Sequence, residues 1–196
     1  MSMKASTNHL IGAYGLFWQM SEVNWHPGNG RTWQLLGKRG SNRGSVQVCD
    51  FRAARGFYIL FDDHGANYVG LARGEQGIAA RLEKHVSNKT KKWSRFCWFS
   101  FDDVVAVPAS QGWSQVVRRD AISEVSADDT VREMEALLIM VLGARYNKAQ
   151  MRFLTGKPWQ QVTVQDCQRG GVLTKVDSDR LTDSEARDYL KGLLHG

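Results

Sequence analysis

The chain has 196 residues, 42% of them hydrophobic and 23% charged, which is enough to bury a core unaided and is ordinary for a globular protein. No run of about 18 apolar residues occurs, so a transmembrane helix is not expected. MSMKASTNHLIGAYG lacks a long apolar stretch and a cleavage site, so the expected location is cytoplasmic. Cys49, Cys97 and Cys167 are odd in number and far apart, which argues against both a disulfide framework and a CxxC zinc site. The net charge of +6 is unevenly spread. Residues 1–56 hold seven Lys/Arg against two Asp/Glu, and residues 73–95 again hold seven against two. Between them, residues 57–72 contribute only Asp62 and Asp63. Such basic blocks suit a phosphate backbone, because each Lys or Arg contact releases counterions; a solvated basic surface is the plain alternative.

Along the chain, residues 1–55 are rich in Gly, Trp and turn signals. HPGNG (26–30) and GKRGSNRGS (37–45) read as loops, while WQLLG (33–37) and SVQVCDF (45–51) read as strands. This part is expected to be a β-rich basic N-terminal extension. GFYILFDDHGANYVGLA (56–72) then gives two strand-like runs joined by turn residues, a hairpin. Residues 75–88 carry Ile78, Leu82 and Val86 at helical spacing, and Trp93 to Phe101 form an aromatic strand. A second helix is signalled by Ser126 and Asp129 as a capping box, by Gly143 as a stop, and by Val131, Met134, Leu137, Leu138, Val141 and Leu142 between them. A last helix is expected from Thr182 toward Leu194.

Three features could carry chemistry. Tyr58 and Tyr68 lie on adjacent hairpin strands, Arg81 and His85 share one helix face, and Glu135 falls among the apolar positions Val131, Leu138 and Leu142. A carboxylate in an apolar stripe is costly unless paired or bound to a cation. Taken singly, each has an ordinary structural explanation: packed tyrosines, a solvated Arg–His face, a boundary glutamate. Together they make a plausible kit for phosphodiester hydrolysis, with a cation to polarise the phosphate and a guanidinium to neutralise developing charge.

The order of these residues resembles the GIY-YIG nuclease superfamily. Gly56-Phe57-Tyr58, nine residues, then Tyr68-Val69-Gly70 is similar to its paired motifs, followed by Arg81 on a helix, the aromatic strand KKWSRFCWFSF (91–101) and Glu135 in EMEALLI. Arg81-xxx-His85 with Glu135 and Asn147 looks most like the branch containing type II restriction enzymes. The resemblance covers about residues 56–148. It departs at Leu71, where many members have Lys; Arg73 is a substitute able to approach the same phosphate.

The resemblance implies an α+β fold, an α/β sandwich with a three-stranded mixed or antiparallel sheet flanked by helices over 56–148, between the extension at 1–55 and a helical C-terminal part at 149–196. It implies a metal-dependent DNA endonuclease, with restriction or genome defence as one role and repair or mobile elements as another. Glu135 would bind one Mg²⁺ or Mn²⁺, Tyr58 would activate water directly or through His85, and Arg81 would hold the phosphate. Tyr68 would orient phosphate and water, and Asn147 would support the site. An unperturbed phenol is a poor base, so Arg81 and the cation are expected to lower the Tyr58 pKa. Lys38, Arg39, Arg43, Arg73, Lys91 and Lys92 are candidate DNA contacts. Cutting two strands from one site makes a homodimer an expected partner, with Leu181, Leu190, Leu193 and Leu194 as one interface. A non-catalytic nucleic-acid-binding protein is the alternative, favoured by Leu71.

Overall fold

In a computed structural model, the described residues are 9–26, 33–40, 45–88, 92–109, 112–119, 125, 127–142, 153 and 155–167. The strands are β1 (Ala13–Gln19), β2 (Leu36–Arg39), β3 (Gln47–Asp50), β4 (Gly56–Asp62), β5 (Gly65–Ala72), β6 (Arg95–Ser100), β7 (Asp103–Val105), β8 (Gln115–Val117), β9 (Lys157–Pro158) and β10 (Gln160–Gln161). The helices are α1 (Gly77–Ser87), α2 (Ala127–Leu142) and the short α3 (Val164–Cys167). The protein is α+β, and no helix among the described residues is long and apolar enough to cross a membrane. The expected last helix at 182–194, with Leu181, Leu190, Leu193 and Leu194, lies outside the described residues, as do Ser126 and Gly143.

The main sheet has the order β5-β4-β6-β1-β9, antiparallel except for the β1–β9 pair. A smaller sheet runs β10-β2-β3, and β7–β8 form a hairpin. Side-chain alternation sends Tyr58, Leu60, Phe96 and Trp98 into one core with Ile78, Ala79 and Leu82 of α1. It sends Ile59, Phe61, Cys97 and Phe99 into a second core with Ala136, Leu137, Met140 and Val141 of α2. The two helices therefore cover opposite faces of the sheet. Strands buried on both faces read as nearly unbroken apolar runs, which is why FYILF and FCWF show no polar alternation.

The N-terminal part is less separate than its composition suggests, because β1 sits inside this sheet between β6 and β9. AYGLFWQ hides its strand character behind Gly15 and a bulge between Gly15 and Trp18. That glycine is forced: a Cβ there would lie 2.3 Å from Trp98 Nε1 and 2.6 Å from the Trp18 ring. At the bulge Phe17 takes a positive φ of 53°, and its N–H is held by Cys97 Sγ at 3.2 Å.

The apolar stripe of α2 that holds Glu135 faces outward. Val131, Met134, Leu138 and Leu142 are 65%, 54%, 52% and 71% exposed, and Glu135 is exposed with them. The expectation that Glu135 is a costly carboxylate in an apolar setting is thus corrected. The buried acid is Glu133, 1% exposed, whose Oε2 accepts the backbone N–H groups of Leu10 and Ile11 at 2.6 and 2.7 Å.

A candidate active site on the α1 face of the sheet

The hairpin register sets the site. Tyr58 of β4 stands opposite Gly70 of β5, and Leu60 stands opposite Tyr68, so both tyrosines project toward α1. The Tyr58 ring lies directly over Gly70. A Cβ at position 70 would fall 2.2 Å from Tyr58 Cζ and 2.3 Å from its Oη. Only a glycine leaves room for the phenol to cross β5. The other motif glycine is also steric, since a Cβ on Gly56 would sit 1.9 Å from the Phe99 carbonyl oxygen.

From α1, His85 meets the phenol: Tyr58 Oη and His85 Nε2 are 2.9 Å apart. Tyr68 lies against the same imidazole edge to face, with ring centroids 4.7 Å apart, and 6.1 Å from the Tyr58 ring. Arg81, one turn before His85, is solvent-exposed, and its charge acts on the Tyr58 hydroxyl. Thus Tyr58, Tyr68, Arg81 and His85, drawn from two strands and one helix, stand together.

Their electrostatics differ from the expectation. Burial, followed by the charge and hydrogen bond of Tyr68, pushes the Tyr58 phenol above its ordinary pKa, and Arg81 opposes this without reversing it. Tyr58 is a neutral phenol at pH 7, not a pre-formed phenolate.

Among the described residues, the other nominated ones do not join the cluster. Glu135 belongs to the helix on the opposite face of the sheet, and its carboxylate makes no hydrogen bond or ion pair among the described residues. Asn147, Arg43 and Lys91 lie outside the described residues. Lys38 is not available to a phosphate, because its ammonium is paired with Asp166. Arg39, beside it on β2, lines a separate cavity with Lys157. Arg73, just after β5, which carries Tyr68, and Lys92, shortly before β6, are exposed cations.

A divalent cation needs oxygen ligands next to the reacting phosphate. Beside Tyr58 and His85 the described residues do not assemble them. No group of three His, Cys, Asp or Glu side chains able to hold a metal occurs among the described residues, and Glu135 is across the sheet.

Sequence reasoning missed a charged network at the approach to β1. Asp102, fully buried, pairs with Arg55 and accepts the Arg119 N–H at 3.3 Å. Arg119, 6% exposed, donates to the carbonyls of Phe101, His9 and Leu10 at 2.6, 2.6 and 2.9 Å. His9 Nε2 meets Asp103 Oδ1 at 2.9 Å. One signal for Glu133 was present: positions 133, 136, 137, 140 and 141 fall at helical spacing. Compared with protein-family models, with curated proteins and with solved structures, the chain matches none.

Proposed function

We propose that Tyr58, Tyr68, Arg81 and His85 handle the scissile phosphodiester of DNA, making the protein an endonuclease of the kind the GIY-YIG resemblance implies. The observation that carries this reading is the 2.9 Å hydrogen bond between Tyr58 and His85, with Arg81 acting on the same hydroxyl. A raised phenol pKa favours a relay over an ionised base. In the His85 tautomer protonated on Nδ1, Nε2 accepts the Tyr58 proton while Tyr58 Oη takes one from the attacking water. The water oxygen then bonds to phosphorus, the bond to the leaving sugar oxygen breaks, and that oxygen takes a proton from solvent. Arg81 neutralises charge on the non-bridging oxygens. Tyr68, against the imidazole edge, holds His85 in line. No step is assigned to a metal.

The test is incubation of the purified protein with supercoiled plasmid in Mg²⁺, in Mn²⁺ and in EDTA, beside Tyr58→Phe and His85→Ala. Nicked or linear product from the parent, lost by at least about 100-fold in both variants, supports the assignment, that being the usual contribution of a positioned acid–base group. Equal cleavage by the variants would remove these residues from the chemistry. A non-catalytic nucleic-acid-binding protein is the second reading, favoured by the position of Glu135 across the sheet. It forecasts salt-dependent DNA binding and intact plasmid in all three conditions.

A further inference from the structure

A cavity of about 330 Å³ lies between the approach to β1, the end of β2, the β7 strand and β9. Its wall includes His9, Arg39, Asp103, Thr155, Lys157 and Trp159. The polar groups there are unbalanced toward donors. Arg39 and Lys157 bring two cations, and neither forms an ion pair among the described residues. The carboxylate of Asp103 is already engaged by His9 Nε2 at 2.9 Å. Among the described residues two buried ring nitrogens, His9 Nδ1 and Trp159 Nε1, have no hydrogen-bond partner; with Nε2 donating to Asp103, Nδ1 of the neutral His9 ring is an acceptor, so the indole N–H is the unmade donor. An indole N–H can only donate, and buried donors are seldom left unmade in folded proteins.

Two cations outnumber the one carboxylate of this wall, which His9 already engages, and that balance calls for a ligand that accepts hydrogen bonds and carries negative charge. A tetrahedral oxyanion does so, and a guanidinium beside an ammonium is a familiar way to hold one. The volume is at the lower end for ligand cavities, about 300–1,000 Å³, which leaves room for one phosphate and a small attached group. We propose that this cavity binds a phosphate-bearing ligand, with Arg39 and Lys157 as its cationic arms and His9 and Trp159 as its buried wall. The site is distinct from the Tyr58–His85 cluster and does not depend on the nuclease reading. Two sources offer the same chemistry: a free phosphate or small phosphate ester, and the terminal phosphate of a nucleic acid strand.

The experiment titrates inorganic phosphate into the full chain at constant ionic strength, balanced with chloride. The thermal midpoint and the tryptophan fluorescence are followed together. Saturable, single-site binding is expected, weakened at least tenfold in Arg39→Ala and in Lys157→Ala and unchanged in Lys84→Ala on α1. Lys157 is exposed, so its variant keeps the test decisive if Arg39→Ala fails to fold. Oligonucleotides with and without a 5′-phosphate then separate the sources. A phosphate-dependent gain in affinity that disappears in Lys157→Ala identifies a strand terminus, and its absence leaves the free phosphate. A response to phosphate no greater than to chloride, or full affinity retained by both cavity variants, would overturn the proposal.

Discussion

Gly70→Ala tests the geometry of the site at its tightest point. The new methyl carbon would stand 2.2 Å from Tyr58 Cζ, 2.3 Å from Oη and 2.6 Å from Cε1. Carbon atoms in contact prefer about 3.5–4.0 Å, so the ring must retreat by more than 1 Å. It has no room to do so, because Tyr58 is 1% exposed and packed between Tyr68, His85 and the α1 core. Overpacking of this kind costs about 1–3 kcal/mol. Losing the Tyr58–His85 hydrogen bond adds about 0.5–1.5 kcal/mol. The combined loss of about 1.5–4.5 kcal/mol corresponds to a fall of roughly 3–18 °C in thermal midpoint at this chain length. Differential scanning calorimetry reads the stability, and histidine NMR reads whether the His85 imidazole still has its phenol partner. Gly74→Ala is the control, since a Cβ there meets nothing within 4 Å. A Gly70→Ala protein as stable as the Gly74→Ala control, with an unchanged His85 resonance, would refute the placement of the Tyr58 ring over β5.

Glu133→Ala should lower the unfolding free energy by about 2–4 kcal/mol, because it orphans one buried and one half-buried backbone donor bonded to a carboxylate, a change urea titration would register; a loss under about 0.5 kcal/mol would count against that clamp. Burial pushes the Cys49 and Cys97 thiols up to about 12 and about 11, and Cys167 is buried as well, so a thiol reagent should label none of the three at pH 8 until the protein is unfolded. Asp103 is pulled two ways: burial raises its pKa, but the His9 hydrogen bond and the charges of Arg119 and His9 outweigh this and lower it. Its stabilisation is therefore present above the ordinary carboxylate value of about 3.9 and lost as pH falls through the lower folded value. The thermal midpoints of the parent and Asp103→Asn should differ at pH 7 and converge in acid. A gap that stays constant down to pH 2 would contradict the assignment.

The parts legible in the sequence were those whose signals are local. The hairpin at 56–72 announced itself through its turn residues, and Arg81 and His85 through one turn of helix. A link between Tyr58 and His85 was only implied by the family resemblance, as one of two routes to the water, and the 2.9 Å contact between them depends on how α1 packs over the hairpin. What stayed hidden was set at long range. Helix α2 is apolar on both sides, so periodicity alone did not say which stripe faces the sheet; the stripe with Glu135 looked inward and turned out exposed. Lys38 read as a free cation until the fold brought Asp166 to it across 128 positions. Gly15 disguised β1 because a glycine in a strand usually weakens it, and its reason, the Trp98 indole, comes from a segment far along the chain. The charged residues around His9 have no shared motif, since their partners come from positions 102, 103, 119 and 133.

The interior position of β1 constrains the order in which the molecule can be completed as it leaves the ribosome. Residues 13–19 are synthesised well before their ladder partners β6 and β9, and the groups that grip Leu10 and Ile11 are supplied by Arg119 and Glu133, later still than β6. Until residue 100 has emerged, this segment has no strand to pair with, whereas β4 and β5 can close on each other at once. The nascent chain therefore carries an apolar segment with its backbone groups unpaired while about 80 further residues are added at the usual 5–20 residues per second, a window of several seconds or more in which a chaperone has something to hold.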